Sequence, residues 1–431
     1  MKIGLISLPH PFLVDPTAQM PMGILYLASI LEQQIIDVQV YNLSEYNDQQ
    51  AIKQLEECDV FGITVTCLEL LQANDFARKI KEKFPNSKVI LGGPGTITDE
   101  YIDFNVIDSI VKGEAEITIL DMIQDISVGN FKKIYYGEPV KDLDSIPFPA
   151  RQFLDKQGGH IFANHRTYDK TFSMQYKKKG TTAILTSRGC PFQCSFCSAP
   201  SLNQKMRYRS PQNVYEEIKH CLDVYKLKQY RFSDEMFTAN KEHVKKICEL
   251  IKPLGIVWRI SARVRPLDLE TLKIMRKSGC VEISFGIESF DNDVLEMLNK
   301  KTTAEDNYKA LQMARDAGFM TRALFMIRTP GQSKNTVAKN IEWLKKVPYT
   351  TIAVTSFVPL PGSDIWNNPD KYNIEILNRN LSDYNFYFFG KEGKNELKDI
   401  IKIKDRSLEE FNQESEEFRQ WIESEGKVNH G

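Results

Sequence analysis

Charge of one sign is what the sequence most clearly lacks, because 56 Lys and Arg residues are balanced by 57 Asp and Glu residues among its 431. This balance provides no electrostatic footprint for nucleic acid or for an anionic membrane surface, so no nucleic-acid partner is predicted. No apolar run approaches the roughly 20 residues of a membrane-spanning helix, and no integral membrane segment is expected. The chain begins without a secretory signal, which favours a cytoplasmic location.

Cysteine is also scarce, with eight residues in 431. This is ordinary usage for an intracellular protein and argues against a framework of disulfides. A zinc ribbon is disfavoured because such sites use two separated pairs of ligands, and the sequence has no second C-x2-C pair. Three cysteines nevertheless stand together in the run Cys190-Pro-Phe-Gln-Cys194-Ser-Phe-Cys197. A zinc site, a disulfide with a spare thiol and chance clustering are the alternatives to a cluster-binding loop.

The spacing of Cys190, Cys194 and Cys197 lets one loop place three thiolates on a single iron–sulfur cube. Iron–sulfur clusters are usually held by four thiolates, so the fourth iron is left without a protein ligand. An open position on a metal is where a substrate or cofactor binds during catalysis. Residues 184–189 form an apolar run that ends in a glycine turn, as in βα loops at the top of a sheet. We therefore predict that these cysteines are the metal ligands of a catalytic cluster.

The region before the cysteines alternates between short β-branched runs and helix-length segments. The runs occupy residues 2–8, 38–43, 60–65, 88–93 and 106–112. Such alternation predicts a Rossmann-like, doubly wound parallel sheet. Ligands bind beyond the carboxyl ends of the strands in sheets of this kind. Small residues at those ends let the backbone approach a bulky ligand closely.

The region after the cysteines repeats the βα rhythm. Apolar strands are predicted at about residues 182–187, 229–233, 256–261, 281–287, 321–327 and 351–358, each followed by a helical pattern. These units fit an open, partial (β/α)6 barrel of the TIM type, whose chemistry lies at the carboxyl ends of its strands. Ser210 and Thr303 are predicted helix N-caps.

The run from Thr186 to Cys197 resembles the signature of radical S-adenosylmethionine (radical SAM) enzymes. The resemblance implies that the cysteines hold a 4Fe-4S cluster and that the amino and carboxylate groups of S-adenosylmethionine chelate the open iron. One electron then cleaves the sulfonium to a 5′-deoxyadenosyl radical, and an external donor such as flavodoxin or ferredoxin supplies that electron. Phe196 would line the adenine, or else only pack the loop.

The same resemblance implies a set of residues that bind S-adenosylmethionine at the barrel's strand ends. The set is Phe196, Asp234, Glu235, Ser261, Arg263, Glu288 and Arg328. The paired acids Asp234 and Glu235 suit the methionyl amino group, and Asp234 could also cap the next helix. An arginine fork suits a carboxylate, so Arg263, with Ser261, would hold the methionyl carboxylate or the ribose; a surface ion pair is the alternative.

Two further members of that set have competing explanations. Glu288 would lie near the ribose hydroxyls, although a buried structural glutamate explains it equally. Arg328 stands in the run 326–331 where relatives commonly have glycine. We expect either a cofactor or structural role for Arg328 or a contact with an anionic group of the substrate.

Residues 1–150 resemble the cobalamin-binding domain that is fused to many radical SAM enzymes, on the strength of residues 21–28, 91–94 and 113–116. The implied cobalamin contacts are Gly23, Thr64, Thr66, Gly92, Gly93, Pro94, Gly113 and Glu114. A D-x-H-x-x-G motif is missing, so no histidine is expected on the lower face of the cobalt. Gly95 stands where relatives often carry histidine. The alternative is a Rossmann-like domain that has lost cobalamin or binds something else.

The predicted organisation has four parts. They are a Rossmann-like cobalamin-binding-type domain at 1–142, a linker at 143–180, a partial barrel at 181–363 and a small C-terminal helical extension at 364–431. Two prolines in residues 143–151 end the first domain, because residues before proline favour extended backbone. An aromatic stretch at residues 384–389 could cap a substrate pocket, but core packing is the favoured interpretation.

The combination of domains implies a methylase of an unactivated carbon or phosphorus centre in a small-molecule or natural-product substrate. In such an enzyme the radical removes a hydrogen and methylcobalamin supplies the methyl group. A radical enzyme that rearranges, cyclises or decarboxylates is the alternative, with or without bound cobalamin. A methylthiotransferase of transfer RNA is disfavoured because the tail has no basic RNA-binding module. A non-catalytic binding protein is the remaining alternative.

Overall fold

The computed structural model describes residues 1–10, 20–155, 181–202, 205–347, 351–384 and 399–425. Most of the predicted linker and residues 385–389 of the aromatic stretch lie outside the described residues. The described chain forms two compact units, residues 1–155 with 380–384 and residues 181–379 with 399–425. The three boundaries between the four predicted parts stay predictions.

The first unit contains a six-stranded, fully parallel sheet in the order β2-β1-β3-β4-β5-β6. Its strands are β1 Lys2–Ser7, β2 Asp37–Asn42, β3 Val60–Thr64, β4 Lys88–Gly92, β5 Ser109–Gly113 and β6 Ile134–Gly137. The first five correspond to the predicted runs, and β6 was not predicted. The central strands are almost entirely buried, because helices cover both faces of a parallel sheet.

Helices connect these strands in the doubly wound manner that was predicted. They are α1 Met22–Gln33, α2 Asp48–Gln54, α3 Leu70–Lys83 and α4 Thr118–Ser127, and a further helix, α5 Gln152–Asp155, follows the last strand. Strand order reverses at β1, which lies between β2 and β3. The crevice beyond the carboxyl ends of β1 and β3 is therefore the topological switch point, where ligands of such sheets bind.

The second unit contains a six-stranded parallel sheet whose strands follow one another in chain order. They are β7 Thr181–Ile184, β10 Gln229–Phe232, β11 Val257–Ala262, β12 Cys280–Glu288, β13 Met320–Ile327 and β14 Thr351–Ser356. A short ribbon, β8 Ser187–Arg188 with β9 Arg207–Tyr208, follows the first of them. The observed order confirms the predicted open, partial barrel, and the sequence-predicted α/β fold class is correct for both units.

Helices follow the strands of the second unit, and several of them begin at side-chain caps. They are α6 Ala199–Leu202, α7 Pro211–Tyr225, α8 Lys241–Ile251, α9 Leu269–Lys277, α10 Asn292–Met297, α11 Ala304–Asp316 and α12 Thr336–Lys346. The Ser210 side chain accepts from the Asn213 N–H, and Thr303 forms a capping box with Asp306. Both predicted N-caps are confirmed.

The C-terminal part of the second unit packs on the barrel. It comprises α13 Asp364–Asn367, the antiparallel pair β15 Ile374–Ile376 and β16 Ile401–Ile403, and α14 Leu408–Ser424. The ring of Phe418 on α14 lies 5.7 Å from that of Phe325 on β13. Within the described residues, no helix has the length and apolar character needed to cross a membrane.

Candidate functional site

The three-cysteine loop begins at Gly189, whose φ of +94° turns the chain away from β8. That left-handed conformation favours glycine. The Cys197 N–H donates to the Cys194 carbonyl at 3.1 Å, and the Ala199 N–H donates to Cys197 Sγ at 3.4 Å. The loop is therefore folded tightly around its own sulfurs.

The cysteine side chains influence one another electrostatically. The pKa of Cys197 is raised to about 11, mainly by burial and also by the neighbouring Cys194 and Cys190, while the hydrogen bond from the Ala199 N–H and the charge of Lys300 oppose the rise. Burial also raises the pKa of Cys190, with Cys194 again adding to it and Arg263 opposing it. The three thiols thus share one partly buried site with two cations beside it.

The segment that follows α10 braces one side of the loop. The Ser195 N–H donates to the Leu298 carbonyl and its hydroxyl to the Met297 carbonyl, both at 3.0 Å. The Asn299 side chain donates to the Gln193 carbonyl. Sequence reasoning missed this segment because more than a hundred residues separate it from the cysteines. Its polar residues come directly after a βα unit in the sequence, and this position was the signal that could have indicated a role at the site.

The turn at residues 361–363 braces the loop from a second side. The Ser198 hydroxyl donates to the Pro361 carbonyl at 2.7 Å, and the Ile365 N–H donates to the Ser195 carbonyl at 3.0 Å. This proline-rich turn therefore helps to fix the conformation of the cysteine loop.

Asp234 and Glu235 both lie at the base of the loop, after β10. Asp234 Oδ1 accepts from the Thr186 N–H at 3.0 Å, the Thr186 hydroxyl at 2.8 Å and the Ser187 hydroxyl at 2.6 Å. Its Oδ2 is buried without a hydrogen-bond partner in the described structure. Burial raises the pKa of Asp234, and the hydrogen bonds from Ser187 and Thr186 oppose that rise. Glu235 accepts from the Gly189 N–H.

Arg263 follows β11 and reaches into the cysteine loop. Its Nη1 lies 2.8 Å from Cys194 Sγ, and its Nη2 donates to the Lys300 carbonyl. The guanidinium also lies 4.0 Å from the centroid of the Phe192 ring. Arg263 is only 9% exposed, so the contact is not the surface ion pair that was one alternative.

Glu288 ends β12 and forms an ion pair with Lys300 at 3.0 Å. The ammonium of Lys300 lies 5.8 Å from the centroid of the Phe196 ring. A Cβ on Gly286 would lie 2.7 Å from Glu288 Oε1, so glycine makes room for this carboxylate. Lys300 was not predicted, yet it connects Glu288 to the aromatic residue of the loop.

Arg328 and Ser261 occupy different surroundings. Arg328 follows β13, is buried, and contacts the C-terminal part of the unit: its Nη2 donates to Asn412, and its Nη1 lies 3.6 Å from Asp399. Those contacts match the structural role that was one of its predicted alternatives. Ser261 on β11 is partly buried and pairs in register with Ser284 of β12. Contacts of either residue with S-adenosylmethionine stay predictions.

The predicted cobalamin residues lie at the carboxyl edge of the first sheet. Thr64 pairs in register with Ser7 on one side and Gly92 on the other. Gly93 has φ of +94°, and a Cβ there would lie 2.8 Å from both Thr64 Oγ1 and the Val65 carbonyl. The edge is thus closely packed around its glycines.

The neighbouring loops of this edge show why small residues are needed. A Cβ on Gly95 would lie 2.6 Å from the Thr66 carbonyl, so the histidine common in relatives would have no space here. Gly113 has φ of +102°, and its Cβ would lie 2.4 Å from the Gly137 carbonyl. Glu114 accepts from the Val140 N–H at 2.9 Å, while Thr66 and Pro94 are exposed.

His10, in the loop after β1, forms an unpredicted pair at this edge. Its Nδ1 lies 3.0 Å from Glu69 Oε1, and Glu69 Oε2 accepts from the Thr66 N–H at 2.6 Å. The pKa of Glu69 is lowered, because these hydrogen bonds outweigh the effect of burial, which alone would raise it. The pair fixes the loop that carries Thr66.

Comparisons with known proteins agree with both candidate sites, the cysteine loop and the carboxyl edge of the first sheet. Residues 184–344 match the Radical SAM superfamily, and residues 16–122 match the B12 binding domain. An uncharacterized methyltransferase of Pyrococcus horikoshii is 30% identical over 403 residues, covering 89% of this chain and 86% of that protein. This chain belongs to the radical SAM enzymes that carry a B12-binding domain.

Two further members of the family illustrate its range. An anaerobic magnesium-protoporphyrin IX monomethyl ester cyclase of Rubrivivax gelatinosus is 27% identical over 417 residues, covering 86% of this chain and 74% of that protein. The structure of the cobalamin-dependent radical enzyme OxsB, with aqua-cobalamin and S-adenosylmethionine bound, has a TM-score of 0.74 at 18% identity. It covers 98% of this chain and 67% of OxsB, and supports the fold.

Membership in this radical SAM family confirms that the chain is an enzyme, and confirms the predicted 4Fe-4S cluster, S-adenosylmethionine and cobalamin as its cofactors. The residues present fit these groups. Three thiols lie together beside Arg263 and Lys300, and Asp234 Oδ2 is a buried acceptor without a hydrogen-bond partner in the described structure. At Gly23 and Gly92 an added Cβ would meet nothing within 4 Å, which leaves the backbone open to a ligand.

In the described residues, no three His, Cys, Asp or Glu side chains converge so that they could share one metal ion. A 4Fe-4S cube does not require such convergence, because its thiolates bind different irons. Which residues contact each cofactor stays a prediction for every site residue named from the sequence.

Proposed function

We propose that this enzyme is a cobalamin-dependent radical SAM methyltransferase that acts on an unactivated carbon or phosphorus centre of a small molecule. The observation that carries the proposal is the joining of a braced three-cysteine loop to a B12-binding domain in one chain. The methyltransferase of Pyrococcus horikoshii, which matches this chain over most of its length, supports the same reading.

When bound, the cluster supplies the electron that cleaves S-adenosylmethionine, and cobalamin supplies the methyl group. Cys190, Cys194 and Cys197 would hold the cluster, and each thiol must lose its proton to do so. The hydrogen bonds to the Leu298 and Pro361 carbonyls would hold the loop in the conformation that binds the cluster. The chain thereby contributes positioning rather than the radical chemistry itself.

Asp234 is the residue best suited to orient the methionyl amino group. An unpaired carboxylate oxygen in a buried site is costly, and an ammonium is the partner that would offset that cost. The other oxygen is already fixed by Thr186 and Ser187 at the base of the loop. The same side chain would therefore align both the loop and the cofactor.

Glu288 and Lys300 would line the S-adenosylmethionine site on the side opposite to Asp234. Their ion pair lies beside Phe196, which we propose lines the adenine. A carboxylate held by an ammonium can still accept from ribose hydroxyls through its second oxygen. We also propose that an external flavodoxin or ferredoxin delivers the electron.

A second candidate function is radical rearrangement, cyclisation or decarboxylation without methyl transfer. The relative from Rubrivivax gelatinosus favours it, because that protein is a cyclase. Product analysis separates the two functions. S-adenosylhomocysteine and 5′-deoxyadenosine formed together with a methylated product support methyl transfer, whereas 5′-deoxyadenosine alone would contradict it.

The cluster ligands are tested by replacing each loop cysteine with alanine after anaerobic reconstitution. We expect Cys190→Ala, Cys194→Ala and Cys197→Ala to lose the cluster's absorption band and the cleavage of S-adenosylmethionine. Cys221→Ala, at a buried cysteine inside α7, is the matched control and should keep both. A wild-type iron content in all three loop variants would refute the assignment.

A further inference from the structure

The guanidinium of Arg263 lies against one of the three loop cysteines. Its Nη1 lies 2.8 Å from Cys194 Sγ, within hydrogen-bonding distance of a sulfur acceptor. Its Nη2 donates to the Lys300 carbonyl, and the plane lies over the Phe192 ring at 4.0 Å. Three contacts from different directions leave this side chain little freedom to turn toward another partner.

We propose that Arg263 is a positioning residue for the iron–sulfur cluster, which donates a charge-assisted hydrogen bond to Cys194 Sγ and stabilises the reduced form. The proposal rests on the proposed function, because it requires a cluster on the three cysteines. It assigns Arg263 to the cluster itself, rather than to the methionyl carboxylate or the ribose.

The physical reason lies in the charge that reduction adds. One electron from the external donor makes the cluster and its cysteine sulfurs more negative. A hydrogen bond to a ligand sulfur stabilises the more negative state and so raises the reduction potential. A guanidinium has N–H donors and no acceptor, so it can only donate to the sulfur. No proton moves in this step.

Burial makes this hydrogen bond stronger than a surface contact. Arg263 is 9% exposed, so water screens its charge only weakly. The other nearby cation, Lys300, is already paired with Glu288 at 3.0 Å. Arg263 is therefore expected to have the larger effect on the cluster.

The test compares reduction midpoints, measured by EPR-monitored titration of reconstituted enzyme, for wild type, Arg263→Gln and Arg263→Lys. Arg265→Gln is the matched control, since Arg265 is two residues away, 65% exposed and paired with Asp306. We expect Arg263→Gln to be roughly tenfold harder to reduce, which is about 59 mV for one electron. Arg263→Lys should recover part of the shift, and Arg265→Gln should match wild type.

A full cluster with a wild-type midpoint in Arg263→Gln would overturn the proposal. If Arg263→Gln does not retain its cluster, the proposal is tested instead by comparing Arg263→Lys with wild-type enzyme labelled with 15N. With 15N in the arginine guanidinium groups, the reduced wild-type cluster should show a 15N coupling in electron spin echo spectra that Arg263→Lys lacks. Wild type without such a coupling would also refute the inference.

The behaviour of the wild-type protein separates a wrong proposed function from a wrong role for Arg263. A wild-type protein that never forms a cluster, or never cleaves S-adenosylmethionine, contradicts the proposed function before any variant is compared. A wild-type protein that does both, but whose midpoint is insensitive to Arg263, contradicts this inference alone.

Discussion

The carboxylate of Glu288 and the ammonium of Lys300 lie 3.0 Å apart at the end of β12, with their side chains only 12% and 4% exposed. Gly286 leaves space for the carboxylate, and Lys300 faces the ring of Phe196. This pair joins a strand end of the barrel to the cysteine loop.

Replacing Lys300 with methionine should destabilise the second unit. Loss of one partner from a buried ion pair leaves an uncompensated charge, which typically costs about 3–5 kcal/mol. Thermal unfolding of the protein without cluster measures the change. Lys301→Met, at the exposed neighbouring lysine, is the control and should change little. Equal unfolding of both variants would show that the pair contributes nothing.

Assembly of the cluster should be favoured by rising pH. The pKa of Cys197 is raised to about 11, so its thiol is protonated near neutrality and must release that proton to bind iron. Reconstitution yields at about pH 7 and about pH 9 measure the effect, and iron uptake should be greater at the higher value. A yield independent of pH would contradict the assignment of Cys197 as a ligand.

The same raised pKa predicts how the cluster-free protein responds to alkali. The folded-state pKa of Cys197, about 11, exceeds the ordinary value of 9.0, so the folded state retains this proton more strongly than the unfolded state. The stability linked to Cys197 is present below the ordinary pKa and is lost as pH rises toward about 11. Cys197→Ala should reduce the alkaline loss of stability. An unchanged alkaline unfolding curve would contradict this.

Asp268 should matter for stability and not for chemistry. Its side chain caps α9 by accepting from the Thr271 N–H at 2.7 Å, and it pairs with Lys241 at 2.6 Å. Asp268→Ala should cost about 1 kcal/mol, whereas Asp268→Asn keeps a capping oxygen and should cost less. Amide hydrogen exchange in α9 measures the difference between the two variants. Equal protection of the α9 amides in Asp268→Ala and Asp268→Asn would contradict the capping role.

The acid response of Asp268 follows from its lowered pKa of about 2, against an ordinary value of 3.8. Hydrogen bonds from Lys241 and Thr271 outweigh the effect of burial, which alone would raise the pKa. The linked stability is present above the ordinary pKa and is lost as pH falls through about 2. Wild type and Asp268→Asn should therefore converge in stability at the acid end of a denaturation series.

Gly95→Ala should impair the first unit. Its Cβ would lie 2.6 Å from the Thr66 carbonyl, and overpacking of this kind typically costs about 1–3 kcal/mol. Gly92→Ala is the control for stability, because a Cβ there meets nothing within 4 Å. Unfolding of the two variants without cobalamin measures the difference. A Gly95→Ala protein as stable as Gly92→Ala would show that the loop adjusts freely.

The parallel strands could be predicted because buried strands are read as continuous apolar runs. Strand β6 was missed because it has only four residues and exposes Tyr136 at 73%. The three-cysteine loop could be recognised because its cysteines stand close together in the sequence. Lys300 and the contact between Arg263 and Cys194 could not be predicted. The latter two residues are 69 positions apart, and only the folded arrangement of the strands brings them together.

One chain that combines a radical-generating cluster with cobalamin should show both cofactors at once. They are measured in the absorption spectrum of protein purified anaerobically from cells supplied with cobalamin, followed by reconstitution of the cluster. We expect stoichiometric cobalamin bands together with the broad iron–sulfur band. A protein that holds a full cluster but retains little or no cobalamin would contradict this expectation.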